Sequence, residues 1–199
     1  IRFDGRLSQE LRVPTIELGF HRPSEGSVLY RAGGTVVLCT ASVDPKVPAF
    51  LEGKGRGWIT AEYQMHPRAN PRRESRDGRG GKGLSGRTQE IQSLIGRALR
   101  AAVVLERLGE RQIVVDCDVL EADGGTRTAS VTGGFLALAL AIQSLTRQGA
   151  LTSPVLRAPV AAISVGLLDD QRLLDLAYVE DSKARVDLNV VATEQGDII

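Results

Sequence analysis

The chain has 199 residues, of which 42% are hydrophobic and 25% charged, with a net charge of +1. That balance fits one soluble globular domain or two small ones and excludes a polycationic tail or a disordered chain. No apolar run approaches the roughly 20 residues of a membrane-spanning helix, so no membrane partner is expected.

Residues 13–20, 27–31 and 35–43 are rich in β-branched and apolar residues and predict strands, with turns at residues 23–26 and at Gly33-Gly34. Residues 57–63 (GWITAEY) predict a fourth. From about residue 65 to 86 the chain is basic, Gly-rich and almost free of apolar residues. It cannot bury a face and predicts an exposed, mobile loop. Ile91, Leu94, Ile95, Ala98, Leu99, Ala102 and Val103 then form one stripe at helical period, closed by Gly109. Residues 112–120 predict a strand and residues 122–125 a turn. Residues 126–148 predict a second helix, apolar nearly all round and therefore buried. Residues 160–168 and 172–176 predict a hairpin about Asp169-Asp170, and residues 187–193 a last strand. The order predicts an α/β domain of α+β type, a mixed β-sheet with packed helices, as one unit over 1–199. The chain stops at Ile198-Ile199 inside a strand pair, which leads us to expect further C-terminal sequence. Cys39 and Cys117 lie in apolar runs and read as buried free thiols. With the polar opening IRFDGRLSQELR, which resembles no secretory signal, they point to a reducing, cytoplasmic setting.

The sharpest chemical signal is Asp123-Gly124-Gly125-Thr126-Arg127-Thr128-Ala129-Ser130. Two glycines follow a strand and open a helix, where unpaired backbone amides can face an anion. Thr126, Thr128 and Ser130 add hydroxyls, and Arg127 adds a fork suited to phosphate. The same residues also fit an ordinary strand-to-helix turn with a capping threonine. Gly86-Arg87-Thr88 has a similar character, because an arginine at a helix N-terminus is unfavourable unless an anion is near. Asp175, Glu180, Asp181 and Asp187 suit a Mg²⁺ ion held through carboxylate oxygens, or else are solvated strand ends. In residues 66–82, Arg68, Arg72, Arg73, Arg76, Arg79 and Lys82 outnumber Glu74 and Asp77. Without interleaved aromatics this loop suits a phosphate backbone better than stacked bases, although a solvated linker or a protein contact also fits. His21 and His66 read as surface residues, Trp58 and Tyr63 as core or rim. No serine or cysteine is paired with a base, so phosphate or water is the expected attacking group.

GWITAEYQMHPRA, SGRTQEIQSLIGRALRA, VDCDVLEADGGTRTAS and YVEDSKARVDLNVV, in that order, resemble the bacterial ribonuclease PH family over essentially the whole chain. Leu11-Arg12-Val13-Pro14 inverts the family's Arg-Pro-Val order, and His66 and Asn70 replace its usual residues. The resemblance implies a domain of paired βαβ-type units that removes 3′-terminal nucleotides of tRNA precursors and other RNA by phosphorolysis. Nucleoside diphosphates are released, the reverse reaction is nucleotidyl transfer, and rRNA processing is a further role. Carried over by residue, Arg87, Gly125, Thr126 and Arg127 would hold inorganic phosphate as co-substrate. Asp181 and Asp187 would hold a divalent metal, Mg²⁺, with Asp175 a weaker candidate. Arg68, Arg72, Arg73, Arg76 and Arg79 would contact tRNA. The family forms a hexameric ring, a trimer of dimers, and continues past residue 199 with a strand and a long helix. The alternative is a catalytically silent, RNA-binding ring subunit, which should lack one of these residues. A hydrolytic nuclease would release monophosphates instead.

Overall fold

The computed structural model describes residues 2–199. Strands β1 (Thr15–Leu18), β2 (Gly26–Ala32) and β3 (Thr35–Asp44) form an antiparallel meander. Strand β4 (Trp58–Met65) is followed by helices α1 (Gly86–Ala101) and α2 (Leu105–Leu108) and then by β5 (Gln112–Glu121). β5 runs parallel to β4 and antiparallel to β3, so the order of this mixed sheet is β1-β2-β3-β5-β4. The β4-α1-β5 segment is therefore the crossover that a parallel pair requires. Helix α3 (Thr126–Arg147) leads to a second, antiparallel sheet, β7-β6-β8, built from β6 (Val160–Leu168), β7 (Gln171–Leu174) and β8 (Val186–Thr193). A single turn of helix, α4 (Tyr178–Asp181), separates β7 from β8.

Alternation fixes the inward faces. Ile59, Ala61 and Tyr63 of β4 and Ile113, Val115, Cys117 and Val119 of β5 are buried against Ile91, Ile95 and Leu99 of α1 and Val131, Phe135 and Leu138 of α3. α3 packs on β2 and β3 of the larger sheet and on β6 of the smaller one. Among the described residues it is the one helix long and apolar enough to cross a bilayer, and 67% of that stretch is buried. Its apolarity thus serves packing between two sheets. Cys39 and Cys117 stand opposite each other on β3 and β5 as free thiols. The contact with Cys117, together with burial, pushes the Cys39 thiol well above its ordinary pKa. Both are buried packing residues.

Candidate active site

The site is built where β5 hands the chain to α3. Gly124 and Gly125 have φ of 74° and 68°, in the left-handed region that costs other L-residues energy. Gly124 is also forced by space: a Cβ there would stand 2.5 Å from Leu176 O and 2.8 Å from Tyr178 N. The turn bearing α4 therefore presses directly on the glycines. Gly125 is the N-cap of α3 and supplies no side-chain cap. Thr128, the available threonine, instead donates its hydroxyl to Gly125 O at 2.9 Å. The capped-turn alternative fails, and among the described residues the first-turn amides have no capping partner beside the positive end of a long helix.

The start of α1 differs from this, which corrects the expected similarity of the two turns. Ser85 accepts a hydrogen bond from Thr88 N at 3.3 Å and so caps the helix itself. Asp77 locks that cap by accepting from Ser85 Oγ at 2.8 Å. Hydrogen bonds from Thr88 and Ser85 hold its carboxyl down to about 2. What α1 contributes is the exposed Arg87 side chain rather than its amides.

Arg87, Gly125, Thr126, Arg127, Asp181 and Asp187 all line one cavity of about 310 Å³, so the six positions taken from sequence converge. Arg127 Nη2 donates to Glu90 Oε2 at 2.9 Å, while its buried Nε has no partner among the described residues. A buried guanidinium N–H without an acceptor is costly, and an oxyanion in the cavity would relieve it. Asp181 is half-buried and Asp187 exposed. Burial and the neighbouring Asp187 raise the Asp181 pKa, against the lowering pull of Arg87 and Arg127. A raised folded-state pKa stabilises the fold below the ordinary carboxylate range, and that contribution is lost as pH rises through it. Asp181→Asn is therefore expected to melt at a higher temperature than the wild type at neutral pH without added metal. The gap should close when the melting curves are repeated at a pH below the usual carboxylate range.

The acidic set splits in two. Asp175 is consumed by the fold, which removes it as a metal candidate. Arg12 Nε and Nη2 donate to its two carboxylate oxygens at 2.8 and 2.6 Å, and Arg12 N adds a third bond at 2.7 Å. Burial opposes ionisation of Asp175, but the hydrogen bonds and charge of Arg12, helped by Arg6, hold its pKa below the usual range. Glu180 pairs with Arg2, whose Nε donates at 2.7 Å. Asp181 and Asp187 have no salt-bridge partner among the described residues. Two adjacent carboxylates of hard oxygen donors fit a divalent cation, which commonly takes one or two carboxylates and keeps several waters. No cluster of three or more metal-ligating side chains occurs among the described residues.

The basic loop is exposed along Arg68, Arg72, Arg73, Arg76 and Arg79. It folds over a second cavity of about 620 Å³, lined among others by Arg76, Arg79 and Lys82. Met65, Glu74 and Arg87 line both cavities, so the two adjoin. Arg68, Arg72 and Arg73 line neither and stand outside them.

Comparison with known proteins decides the family. The model for the first domain of the 3′ exoribonuclease family matches residues 10–142, and that for its second domain residues 158–199. This chain belongs to the 3′ exoribonuclease family. It is 56% identical over 198 residues to a protein named Ribonuclease PH from Crocosphaera subtropica, covering 100% of this chain and 81% of that one. It is 56% identical over 200 residues to Ribonuclease PH of Bacillus subtilis, with the same coverage. Solved structures of the same fold include rice Rrp46, with a TM-score of 0.78 at 18% identity over 100% of this chain and 84% of that one. An Archaeoglobus fulgidus exosome with RNA bound to the active site gives a TM-score of 0.78 at 22% identity, covering 100% and 79%. The family and fold implied by the sequence motifs are thus borne out.

For this member of the 3′ exoribonuclease family, sequence reasoning missed three residues at the site. Glu90, the partner of Arg127, lies three positions after Arg87 on α1 and so shares its face, a signal the helical period contains. Tyr63 is the last fully buried residue of β4, and a buried phenol there demands a partner. Arg12 gives no local sign at all, because its partner Asp175 is 163 residues away.

Proposed function

We infer that this chain is a phosphate-dependent 3′-to-5′ exoribonuclease acting on tRNA precursors. The observation that carries this reading is the uncapped glycine turn of α3, flanked in one cavity by Arg87 and Arg127. Phosphoryl transfer needs positioning and charge neutralisation more than covalent help. The α3 amides, Thr126, Arg87 and Arg127 orient orthophosphate against the last phosphodiester of the RNA. A phosphate oxygen forms the new bond to that phosphorus. The bond to the 3′ oxygen of the preceding nucleotide breaks, and that oxygen takes up a proton. The products are a nucleoside diphosphate and an RNA one residue shorter. Asp181 and Asp187 would hold a divalent cation, Mg²⁺, which when bound supplies neutralisation of charge on the transferring phosphoryl group. The retained Arg87, Thr126, Arg127, Asp181 and Asp187 speak against a silent ring subunit. Buried free thiols support a cytoplasmic setting, and exposed Ile16, Leu18 and Phe20 along the edge of the larger sheet support a homo-oligomer, a hexameric ring.

The test is incubation of 3′-extended tRNA with and without orthophosphate, followed by chromatography of the released nucleotides. Diphosphates formed only with phosphate support the reading; monophosphates formed without it overturn it. The exposed arginines give a second, separable expectation. Replacing Arg68, Arg72, Arg73, Arg76 and Arg79 with alanine should weaken tRNA binding. It should also flatten the dependence of log K on log salt, by roughly 0.7–0.9 per lost phosphate contact. Filter binding across a salt series measures both.

A further inference from the structure

Tyr63 takes no part in the mechanism above, yet its hydroxyl reaches the phosphate seat. Its residue is 2% exposed, and the ring belongs to the core shared by β4, α1 and α3. The phenolic oxygen lies 3.0 Å from Thr126 Oγ1. Thr126 is the first residue of α3, directly after the uncapped Gly125, and lines the cavity with Arg87 and Arg127.

The direction of this hydrogen bond matters. A threonine hydroxyl has one proton and two lone pairs. If Thr126 gave its proton to Tyr63, it would turn lone pairs toward a bound oxyanion. If Tyr63 donates, the Thr126 proton is free to point into the cavity, and an anion there selects that arrangement. Burial raises the Tyr63 pKa against the pull of Thr126, Arg87 and Arg127, so the phenol keeps the proton it can give to Thr126. Hydrogen bonds in series also polarise one another in a low-dielectric site.

We propose that Tyr63 is a positioning residue whose buried hydroxyl donates to Thr126 Oγ1, so that the Thr126 proton is presented to inorganic phosphate at the α3 N-terminus. The proposal rests on the phosphate seat inferred above. It gives a role to the hydroxyl of the last fully buried residue of β4, a group that core packing alone does not require.

The test uses Tyr63→Phe, Thr126→Val and the double variant, with diphosphate release from 3′-extended tRNA measured over a phosphate series. Tyr63→Phe keeps the ring and removes one hydroxyl. It should raise the KM for phosphate about five- to tenfold, the value of one hydrogen bond. The KM for tRNA and the melting temperature should stay near wild type. In the Thr126→Val background, adding Tyr63→Phe should change the phosphate KM by less than about twofold, since the two hydroxyls act as one unit. A phosphate KM unmoved by Tyr63→Phe would overturn the proposal. So would effects that multiply in the double variant, or an equal rise in the KM for tRNA. Phosphate-independent release by the wild type would remove the seat itself, and the relay with it. A phosphate-dependent wild type with an indifferent Tyr63→Phe removes the relay alone.

Discussion

Arg127→Ala is expected to lower diphosphate release by about 10²- to 10³-fold, the usual scale for losing one preorganised donor to a reacting oxyanion, while leaving tRNA affinity nearly unchanged. Arg127 is mostly buried on the first turn of α3, at the cavity and outside the basic loop. Its Nη2 is fixed by Glu90 at 2.9 Å, and its buried Nε is unpaired among the described residues. The guanidinium is thus held in place with a donor left over. Lysine should restore little, because a point charge on a flexible stem cannot replace a fork held at one nitrogen. Single-turnover rates and filter-binding constants, measured on the same preparations, separate the two effects. Equal loss of binding and rate would mean that Arg127 grips the polymer instead.

Arg12→Ala should destabilise the fold by about 3–5 kcal/mol, the range for stripping one partner from a buried ion pair. Side-chain exposures of 8% for Arg12 and 10% for Asp175 leave little water to compensate. Arg12 does more than neutralise Asp175. Its Nη1 also donates to Asp123 O at 2.6 Å, so one side chain ties the glycine turn to the turn leading into α4. Burial works against the charged guanidinium, yet Asp175 outweighs it and raises its pKa. The Asp175 pKa is correspondingly depressed. The pair's stabilisation is therefore present above the ordinary carboxylate range and is lost as pH falls through the depressed value. Urea midpoints of wild type and variant should converge in acid. Adding Asp175→Asn should recover part of the loss, since it removes the stranded charge and asparagine tolerates the positive φ of 52° at that position. A variant as stable as the wild type at neutral pH would show that the clamp is not structural.

The long elements were legible because their patterns are strong and local. The alternation in β5 and the apolar helix α3 place their limits within a residue of expectation. α2 and α4 were not seen, since four residues give no helical stripe to count. β1 is shorter than the apolar run suggests: Pro14 lacks an N–H, Gly19 turns at φ of 72°, and all four strand residues are exposed on a sheet edge. At the site, the glycine turn and Arg87 could be read because their chemistry is carried by neighbouring residues. By residue type and spacing the four carboxylates look alike, and only the family resemblance singled out Asp181 and Asp187. Which two are free is decided by Arg2 and Arg12, side chains at the far end of the chain. The Tyr63 hydroxyl was hidden for the opposite reason, because an inward tyrosine on a strand looks like core until the helix facing it is known.

The amides that open α3 are the centre of the proposed chemistry. The most direct measurement is a crystal structure determined at saturating phosphate. We expect a tetrahedral anion within hydrogen-bond distance of the Thr126 and Arg127 amides and of the Arg87 and Arg127 side chains. An empty turn at that concentration, with its amides capped by protein groups and the anion bound elsewhere, would contradict it.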